Sequence, residues 1–252
     1  MAHVYEAMLD VFKRKGAGYA VLLDPDKSPP SEIGRQAEMV SRHADFTFVG
    51  GSICVRQDFD AAVKSVKENS HVPVVIFPGD STQVSSHADA LLFLSLVTGR
   101  NADLLIGEHV KAAPLVRRHG LEVIPVAYML VESGETTSVQ FMSQSLALPR
   151  NKPEIAMAHA LAGEYLGMRL VFMEAGSGAR EHVPLEMIEA VSRYVSVPVI
   201  VGGGIRRARE AGDIVRAGAS LVVTGDIIEK TGSESLLREF AEAVHTAPAV
   251  SS

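Results

Sequence analysis

The residues of this chain most able to do chemistry are glycines that follow short β-branched runs. Residues 199–205 read VIVGGGI and residues 221–226 read LVVTGD. Glycine lets the backbone approach an anion closely, and the N-terminus of a following helix offers unpaired N–H groups and a positive dipole. Two such turns late in a chain of 252 residues are typical of the phosphate site that a (β/α)8 barrel builds after its last two strands. The pattern predicts a phosphorylated ligand.

Oxygen-bearing side chains end two early strands of the predicted barrel. Asp24 begins the sequence DPDK, and Ser52 follows two glycines on the neighbouring strand. Carboxylate and hydroxyl oxygens suit Mg²⁺, which fills its remaining positions with water and substrate phosphate. The same residues are also favoured in an ordinary turn, so the sequence leaves both interpretations open.

Two further candidates end later strands. Glu174 directly follows an apolar run, and a carboxylate there could orient or deprotonate a hydroxyl nucleophile. A buried ion pair with an arginine or lysine is the alternative. Tyr128 could donate a hydrogen bond to a ligand oxygen, or it could belong to the core.

The elements that must position these residues alternate along the chain. Continuous Val, Ile and Leu runs indicate strands that are covered on both faces, as in a parallel sheet. The predicted strands are residues 19–23, 46–49, 72–77, 90–94, 122–130, 170–174, 197–201 and 221–224. The predicted helices are residues 31–43, 58–69, 101–119, 153–166, 184–194, 206–217 and 233–245. This order predicts one α/β domain over residues 1–252, a TIM-type (β/α)8 barrel with an irregular third crossover at residues 79–89.

Composition excludes several classes of protein. A net charge of −6 argues against non-specific nucleic-acid binding, and no apolar run approaches the length of a membrane span. The single cysteine, Cys54, is consistent with the reducing cytoplasm, and no signal peptide is predicted. Most of the nine histidines are expected at the surface.

Eight motifs, in order, carry a resemblance to a known family. They are LDPDK at 23–27, VGGS at 49–52, FPG at 77–79, PVAY at 125–128, PRNKPEIA at 149–156 with HAL at 159–161, EAGSGA at 174–179, VGGGIR at 201–206 and VTG at 223–225. In these motifs the chain resembles the geranylgeranylglyceryl phosphate synthases, a family that includes the bacterial heptaprenylglyceryl phosphate synthases.

The resemblance implies a prenyltransferase of ether-lipid and phospholipid biosynthesis. In that reaction the C3 hydroxyl of sn-glycerol 1-phosphate displaces diphosphate from a long allylic prenyl diphosphate, here expected to be geranylgeranyl diphosphate. The resemblance assigns Mg²⁺ to Asp24 and Ser52, and we expect Glu174, Asp24 and Tyr128 to carry catalysis. It assigns sn-glycerol 1-phosphate to Phe172, Met173, Glu174, Ala175, Gly176, Ser177, Gly178, Gly203, Gly204, Gly225 and Asp226.

Two positions depart from the family pattern. Phe172 stands where the family commonly has tyrosine, so a hydroxyl contact is lost and Tyr128 is expected to carry more of the glycerol recognition. Asp226 stands where many relatives have a neutral residue, and its charge would repel a phosphate unless the carboxylate points away.

Other readings of the same residues remain. A sugar-phosphate isomerase or lyase would share the glycine turns, and a non-catalytic phosphate- or lipid-binding barrel would keep the pocket without turnover. Residues 93–97, 129–131 and 141–142 are candidates for a prenyl groove, although each also suits ordinary core packing. We expect a homo-oligomer, dimer or hexamer, and at most peripheral contact with a membrane.

Overall fold

The computed structural model describes residues 3–55, 58–225 and 231–247. Eight strands in this part of the chain form a closed barrel, in which neighbours in sequence pair in parallel and the first strand pairs with the last. The strands are β1 Gly18–Leu23, β2 Phe46–Val49, β3 Val74–Ile76, β4 Ala90–Leu96, β5 Glu122–Leu130, β6 Leu170–Glu174, β7 Val199–Gly202 and β8 Leu221–Thr224. The predicted barrel is confirmed, with every strand end within two residues of its predicted position.

Strand side chains alternate between two packing environments. On β6, Leu170 and Phe172 belong to the cluster inside the barrel, whereas Val171 and Met173 belong to the cluster between strands and helices. Because successive side chains of a strand point to opposite faces, Glu174 points into the barrel at the carboxyl end of β6. Burial on both faces explains why these strands are continuously apolar.

Helices surround the barrel in the order expected for βα units. They are α1 Val4–Lys15, α2 Pro30–Ser41, α3 Phe59–Asn69, α4 Glu108–His119, α5 Ser138–Ser143, α6 Pro153–Tyr165, α7 Leu185–Ser192, α8 Ala208–Arg216 and α9 Glu234–His245. The predicted helix at 101–119 is a π-helical turn, Asp103–Gly107, followed by α4. Helices α1 and α5 were not predicted from the sequence.

Helix α1 packs against the amino end of the barrel. Its buried residues Tyr5 and Met8 join the interior cluster. The Glu122 carboxylate, at the start of β5, accepts hydrogen bonds from the first backbone N–H groups of the helix, including Tyr5 N at 3.1 Å. The Arg169 guanidinium lies 3.5 Å from the centre of the Tyr5 ring. These contacts fix the helix at the end of the barrel opposite to the loops that follow the strands.

The third crossover is irregular, as predicted. None of residues 77–89, all of which the structure describes, is helical. Helix α4, from the next crossover, instead packs near β4: the rings of His109 and Phe93 meet edge to face, 4.4 Å between centres. The missing helix leaves space beside β4 at the top of the barrel.

Within the described residues, no helix combines the length and the apolar character that crossing a membrane requires.

Candidate active site

A cavity of about 830 Å³ opens at the carboxyl ends of the strands. The connections after all eight strands contribute to it, the one after β5 through helix α5. Ten of the predicted site residues line it: Asp24, Ser52, Tyr128, Phe172, Glu174, Ser177, Gly178, Gly203, Gly204 and Gly225. The fold therefore brings together residues separated by up to two hundred positions in the sequence.

Three predicted residues lie outside the lining of this cavity. The side chains of Met173 and Ala175 pack in the outer cluster, so only their backbone could reach a ligand. Gly176 is buried beside the cavity, where its N–H group contacts Glu174. Asp226 lies outside the described residues, and its predicted role stays a prediction.

Glu174 is the buried acid of the site. Its Oε1 atom accepts a hydrogen bond of 2.6 Å from the backbone N–H of Gly176. Burial raises the pKa of the Glu174 carboxyl to about 7, although the Gly176 N–H favours the charged form. No arginine or lysine of the described residues pairs with it, so the alternative of a buried ion pair is not supported. A carboxyl group with this pKa can take up and release a proton near neutral pH.

The turn after β7 is built against this carboxylate. Gly203 has φ +80°, and a β carbon there would lie 2.3 Å from Glu174 Oε1. A side chain at position 203 would therefore collide with Glu174 and adopt an unfavourable backbone conformation. The glycine allows the β7 turn and the acid to share one end of the cavity.

Three aromatic rings form the floor of the cavity. The ring centres of Phe77 and Phe172 lie 5.2 Å apart, and those of Tyr128 and Phe172 lie 5.6 Å apart. Burial, and secondarily the charge of Glu174, raises the pKa of the Tyr128 hydroxyl well above its ordinary value. Tyr128 therefore remains protonated at neutral pH and can only act as a neutral hydrogen-bonding group.

The opposite wall holds the Asp24 segment. Asp24 accepts a hydrogen bond from Asp26 N at 3.0 Å and caps the short 3-10 turn Pro25–Lys27. Lys27 Nζ lies 3.8 Å from Asp24 Oδ2. Asp26 in turn accepts a hydrogen bond of 2.7 Å from Val55 N, which ties the β1 loop to the β2 loop. Asp24 therefore caps a turn, which was one interpretation of the sequence, and it also lines the cavity.

Gln83 holds the loops of this wall together, although it was not predicted as a site residue. The side chain is buried, its Oε1 accepts from Gly79 N at 3.1 Å and from Gly51 N at 3.4 Å, and its Nε2 donates to Gly51 O at 2.9 Å. Gln83 thereby holds the backbone beside Ser52 to the loop after β3. In the sequence, Gln83 could have been singled out as a polar residue in a crossover that lacks helical periodicity.

The Asp24 wall is chemically suited to Mg²⁺. A β carbon at Gly51 would lie 2.9 Å from Asp24 Oδ1, so the glycine leaves the carboxylate room beside the backbone that carries Ser52. The described residues contain no group of three or more His, Cys, Asp or Glu side chains able to hold a metal. A site completed by water and substrate oxygens therefore fits these residues, whereas a cage of protein ligands does not.

An apolar extension leads from the floor of the cavity towards α4. It is lined by Val84, Leu91, Phe93, Leu104 and Ala112, with Leu94, Leu96 and Met142 nearby. Of the predicted groove segments, parts of 93–97 and of 141–142 line this space. Residues 129–131 pack in the core instead.

His109 lies in the same extension and is an exception to the expectation that most histidines lie at the surface. It is buried, and its Nε2 lies 3.2 Å from Ser95 Oγ, whereas Nδ1 has no hydrogen-bond partner among the described residues. Burial lowers the pKa of the His109 ring and so favours its neutral form. Cys54 is half-buried and contacts Asp26.

The chain is similar in sequence to known proteins. The model of the PcrB family matches residues 9–244. The geranylgeranylglyceryl phosphate synthase of Chitinophaga pinensis is 45% identical over 248 residues, 98% of this chain and 98% of that protein. The protein of the same name from Thermococcus kodakarensis is 46% identical over 227 residues, 89% of each chain.

A solved structure shares the fold closely. The (S)-3-O-geranylgeranylglyceryl phosphate synthase of Thermoplasma acidophilum, crystallised in complex with the substrate sn-glycerol-1-phosphate, superposes with a TM-score of 0.92 at 35% identity. The match covers 97% of this chain and 99% of that chain. The resemblance seen in the sequence motifs is thus confirmed. Because the family match runs through all eight strands and the loops that form the cavity, this chain belongs to the PcrB family.

Proposed function

We propose that this protein transfers a long prenyl group from an allylic diphosphate to the C3 hydroxyl of sn-glycerol 1-phosphate. The observation that carries the proposal is the shape of one cavity, which joins a polar end of glycine turns and a buried acid to an apolar extension. A phosphorylated polyol suits the polar end, and a long hydrocarbon suits the apolar extension. The relatives named above carry the corresponding enzyme name.

The glycine turns are the proposed site of glycerol phosphate. Ser177, Gly178, Gly203, Gly204 and Gly225 line the same end of the cavity. Backbone N–H groups in such turns bind phosphate oxygens without requiring a large positive charge on the protein. This agrees with the acidic net charge of the chain.

Glu174 is the proposed acceptor of the proton. As the C3 oxygen forms a bond to C1 of the prenyl chain, the bond from C1 to the diphosphate oxygen breaks, and its electron pair leaves with the diphosphate. The hydroxyl proton passes to the Glu174 carboxylate, whose pKa of about 7 suits this role. Tyr128, protonated and close to Phe172, is positioned to donate a hydrogen bond to a glycerol oxygen.

Asp24 and Ser52 are the proposed magnesium ligands. When bound, the ion would neutralise charge on the departing diphosphate. Asp24 and Ser52 hold oxygen atoms at the edge of the cavity, while Gln83 fixes the backbone between them and the loop after β3. The oxygen donors of the chain thus favour a hard cation.

We also propose that the chain self-associates. Tyr165 and Leu166, at the end of α6, and Tyr194, just beyond α7, present exposed apolar surface on one side of the barrel. Clustered apolar surface of this kind commonly marks a protein interface. Sedimentation of the purified protein tests this, and a monomer at micromolar concentration would contradict it.

A product assay tests the proposed reaction. Purified protein is given Mg²⁺, radiolabelled sn-glycerol 1-phosphate and, separately, geranylgeranyl, farnesylgeranyl and heptaprenyl diphosphate. We expect a labelled, organic-soluble product that EDTA and Asp24→Ala both abolish, and the best donor identifies the chain length. Glycerol phosphate binding without product from any donor would overturn the proposal and favour a binding protein. Turnover of a sugar phosphate, insensitive to EDTA, would favour an isomerase or lyase.

A further inference from the structure

A second cavity, of about 340 Å³, lies beside the first at the same end of the barrel. Three loops form it: the one before α6, the one after β6 and the one after β7. It is lined by Arg150, Arg180, Glu181, His182, Gly204, Arg206, Arg207 and Glu210. Gly204 and Arg206 also line the main cavity, so the two spaces are neighbours.

Two of the four arginines are held in position by the backbone. The guanidinium of Arg150 donates to Glu132 O at 2.9 Å and pairs with Glu181 at 3.0 Å. Arg206 Nη2 donates to Ala179 O at 3.1 Å. Guanidinium groups fixed in this way lose little conformational entropy when they bind an anion.

The two carboxylates of the cavity do not neutralise its four arginines. Glu181 is engaged by Arg150, and Glu210 lies 3.9 Å from the Arg207 guanidinium and accepts hydrogen bonds from the backbone N–H groups of Arg206 and Arg207 at 2.7 and 3.1 Å. Arg180 and Arg206 form no ion pair with a carboxylate of the described residues. In a chain with a net charge of −6, this cationic pocket is a local exception and not a general surface property.

We infer that the second cavity binds a small phosphate dianion and captures glycerol phosphate before it reaches the glycine turns. This inference rests on the proposed function for the identity of the ligand. Guanidinium groups recognise phosphate through paired N–H donors, and the volume suits a phosphomonoester. Because Gly204 belongs to both walls, a phosphate held here lies next to its proposed final site.

Stoichiometry of phosphate binding tests the site directly. Equilibrium dialysis with radiolabelled inorganic phosphate, at low ionic strength, is carried out on the wild type and on the double variant Arg180→Gln with Arg207→Gln. Arg209→Gln is the matched control: it lies on α8 close to the cavity but not in its lining, and its side chain is 89% exposed against 83% for Arg207. We expect two equivalents bound by the wild type and the control, and one by the double variant. Equal stoichiometry in all three proteins would overturn the inference.

Kinetics test the role in capture. In the double variant we expect kcat/KM for sn-glycerol 1-phosphate to fall roughly tenfold at low ionic strength and to approach the wild-type value at high salt, because steering is screened. The Arg209→Gln control should keep the wild-type constants. An equal loss in the control would show a general charge effect and contradict a built site.

Two further outcomes distinguish the phosphate site from the proposed function and from binding of lipid headgroups. If the wild type turns over no prenyl donor, but the double variant binds one phosphate equivalent fewer than the wild type, the proposed function fails while the phosphate site stands. If the double variant keeps both equivalents but no longer cosediments with phosphatidylglycerol vesicles, the arginines bind lipid headgroups, and the capture site is wrong.

Discussion

At the scale of single residues, Glu174 combines burial with a position at the polar end of the cavity. Its hydrogen bond from Gly176 N–H supports the charged form, and burial opposes it. Burial dominates, so the carboxyl titrates close to neutral pH. A group with this property changes both catalysis and stability with pH, and the two effects have different signs.

Replacing Glu174 by glutamine should remove the proton acceptor. In the wild type, kcat/KM should rise as pH passes about 7, since the carboxylate is the active form. In Glu174→Gln we expect this rise to vanish and kcat to fall by about 10²–10⁴-fold, the usual contribution of a general base. Steady-state rates between pH 5.5 and 9 provide the measurement. An unchanged kcat with a raised KM for glycerol phosphate would make Glu174 a binding residue and not a base.

The same substitution should stabilise the fold at high pH. The carboxyl has a pKa of 4.5 in its ordinary state and about 7 in the fold, so between these values the native state binds more protons than the unfolded chain. Stability therefore falls as pH rises through this window. At pH 8 we expect Glu174→Gln to unfold with a free energy about 3 kcal/mol higher than the wild type, and at pH 4 no higher. Urea unfolding at both pH values tests this; a pH-independent difference would contradict it.

Phe172 is one of the two residues at which the sequence is expected to depart from the family pattern. Its ring is fully buried between the rings of Phe77 and Tyr128, on the face that lines the cavity. Phe172→Tyr should add a hydroxyl near the glycerol phosphate and lower KM for that substrate by about 3- to 10-fold, the value of one hydrogen bond. Tyr128→Phe in the same background reports whether the two hydroxyls share this task. A higher KM in Phe172→Tyr would show that the site has no room for the group.

At the scale of elements, the loops after β1, β2 and β3 act as one wall. Asp26 joins the first two loops, and Gln83 joins the second and third. The wall needs these bonds because the third crossover has no helix among residues 77–89 to support it. The same missing helix leaves the space in which the apolar extension lies.

Gln83→Ala should loosen this wall. The change leaves Gly51 N, Gly51 O and Gly79 N without their partner, which should cost about 1–3 kcal/mol of folding free energy. We also expect the Mg²⁺ concentration for half-maximal activity to rise several-fold, with little change in glycerol phosphate binding. Ser86→Ala, at an exposed position of the same crossover, is the control. Loss of stability without a change in the Mg²⁺ requirement would limit Gln83 to a structural role.

At the scale of the whole molecule, the proposed sites of the two ligands lie on different sides of the barrel. Asp24 and Ser52 stand on the β1 and β2 side, whereas Ser177, Gly203 and Gly225 stand on the β6 to β8 side. Glu174 and the aromatic floor lie between them. If the substrates bind as proposed, a hydroxyl and an allylic carbon meet near Glu174 while their phosphates remain apart.

Separate walls predict separable defects. Asp24→Ala should abolish Mg²⁺-dependent turnover and leave the dissociation constant for sn-glycerol 1-phosphate within about twofold of wild type, because independent sites are close to additive. Calorimetric titration and the product assay measure the two properties, and Asp10→Asn, exposed on α1 at the far end of the barrel, is the control. Loss of glycerol phosphate binding in Asp24→Ala would show that the two walls are coupled.

The sequence by itself determined the barrel and the ends of its strands. Strands buried on both faces are continuously apolar, and the glycines and acids that end them stand out against that background. Asp24, Ser52, Tyr128, Glu174 and the glycines after β7 and β8 could therefore be placed at the cavity in advance, and the family resemblance added Phe172, Ser177 and Gly178. These features are local in the chain, which is why a single sequence reveals them.

Only the tertiary structure decided the rest, because those features depend on contacts between distant residues. Helix α1 is fixed by Glu122, which lies 117 positions from Tyr5. The role of Gln83 depends on its contact with Gly51, 32 positions away in the sequence. The apolar extension lies beside α4 because the third crossover has no helix to cover β4 there. The arginines of the second cavity come from three loops that meet only when the barrel closes. No local pattern encodes such meetings, so residue type alone could not predict them.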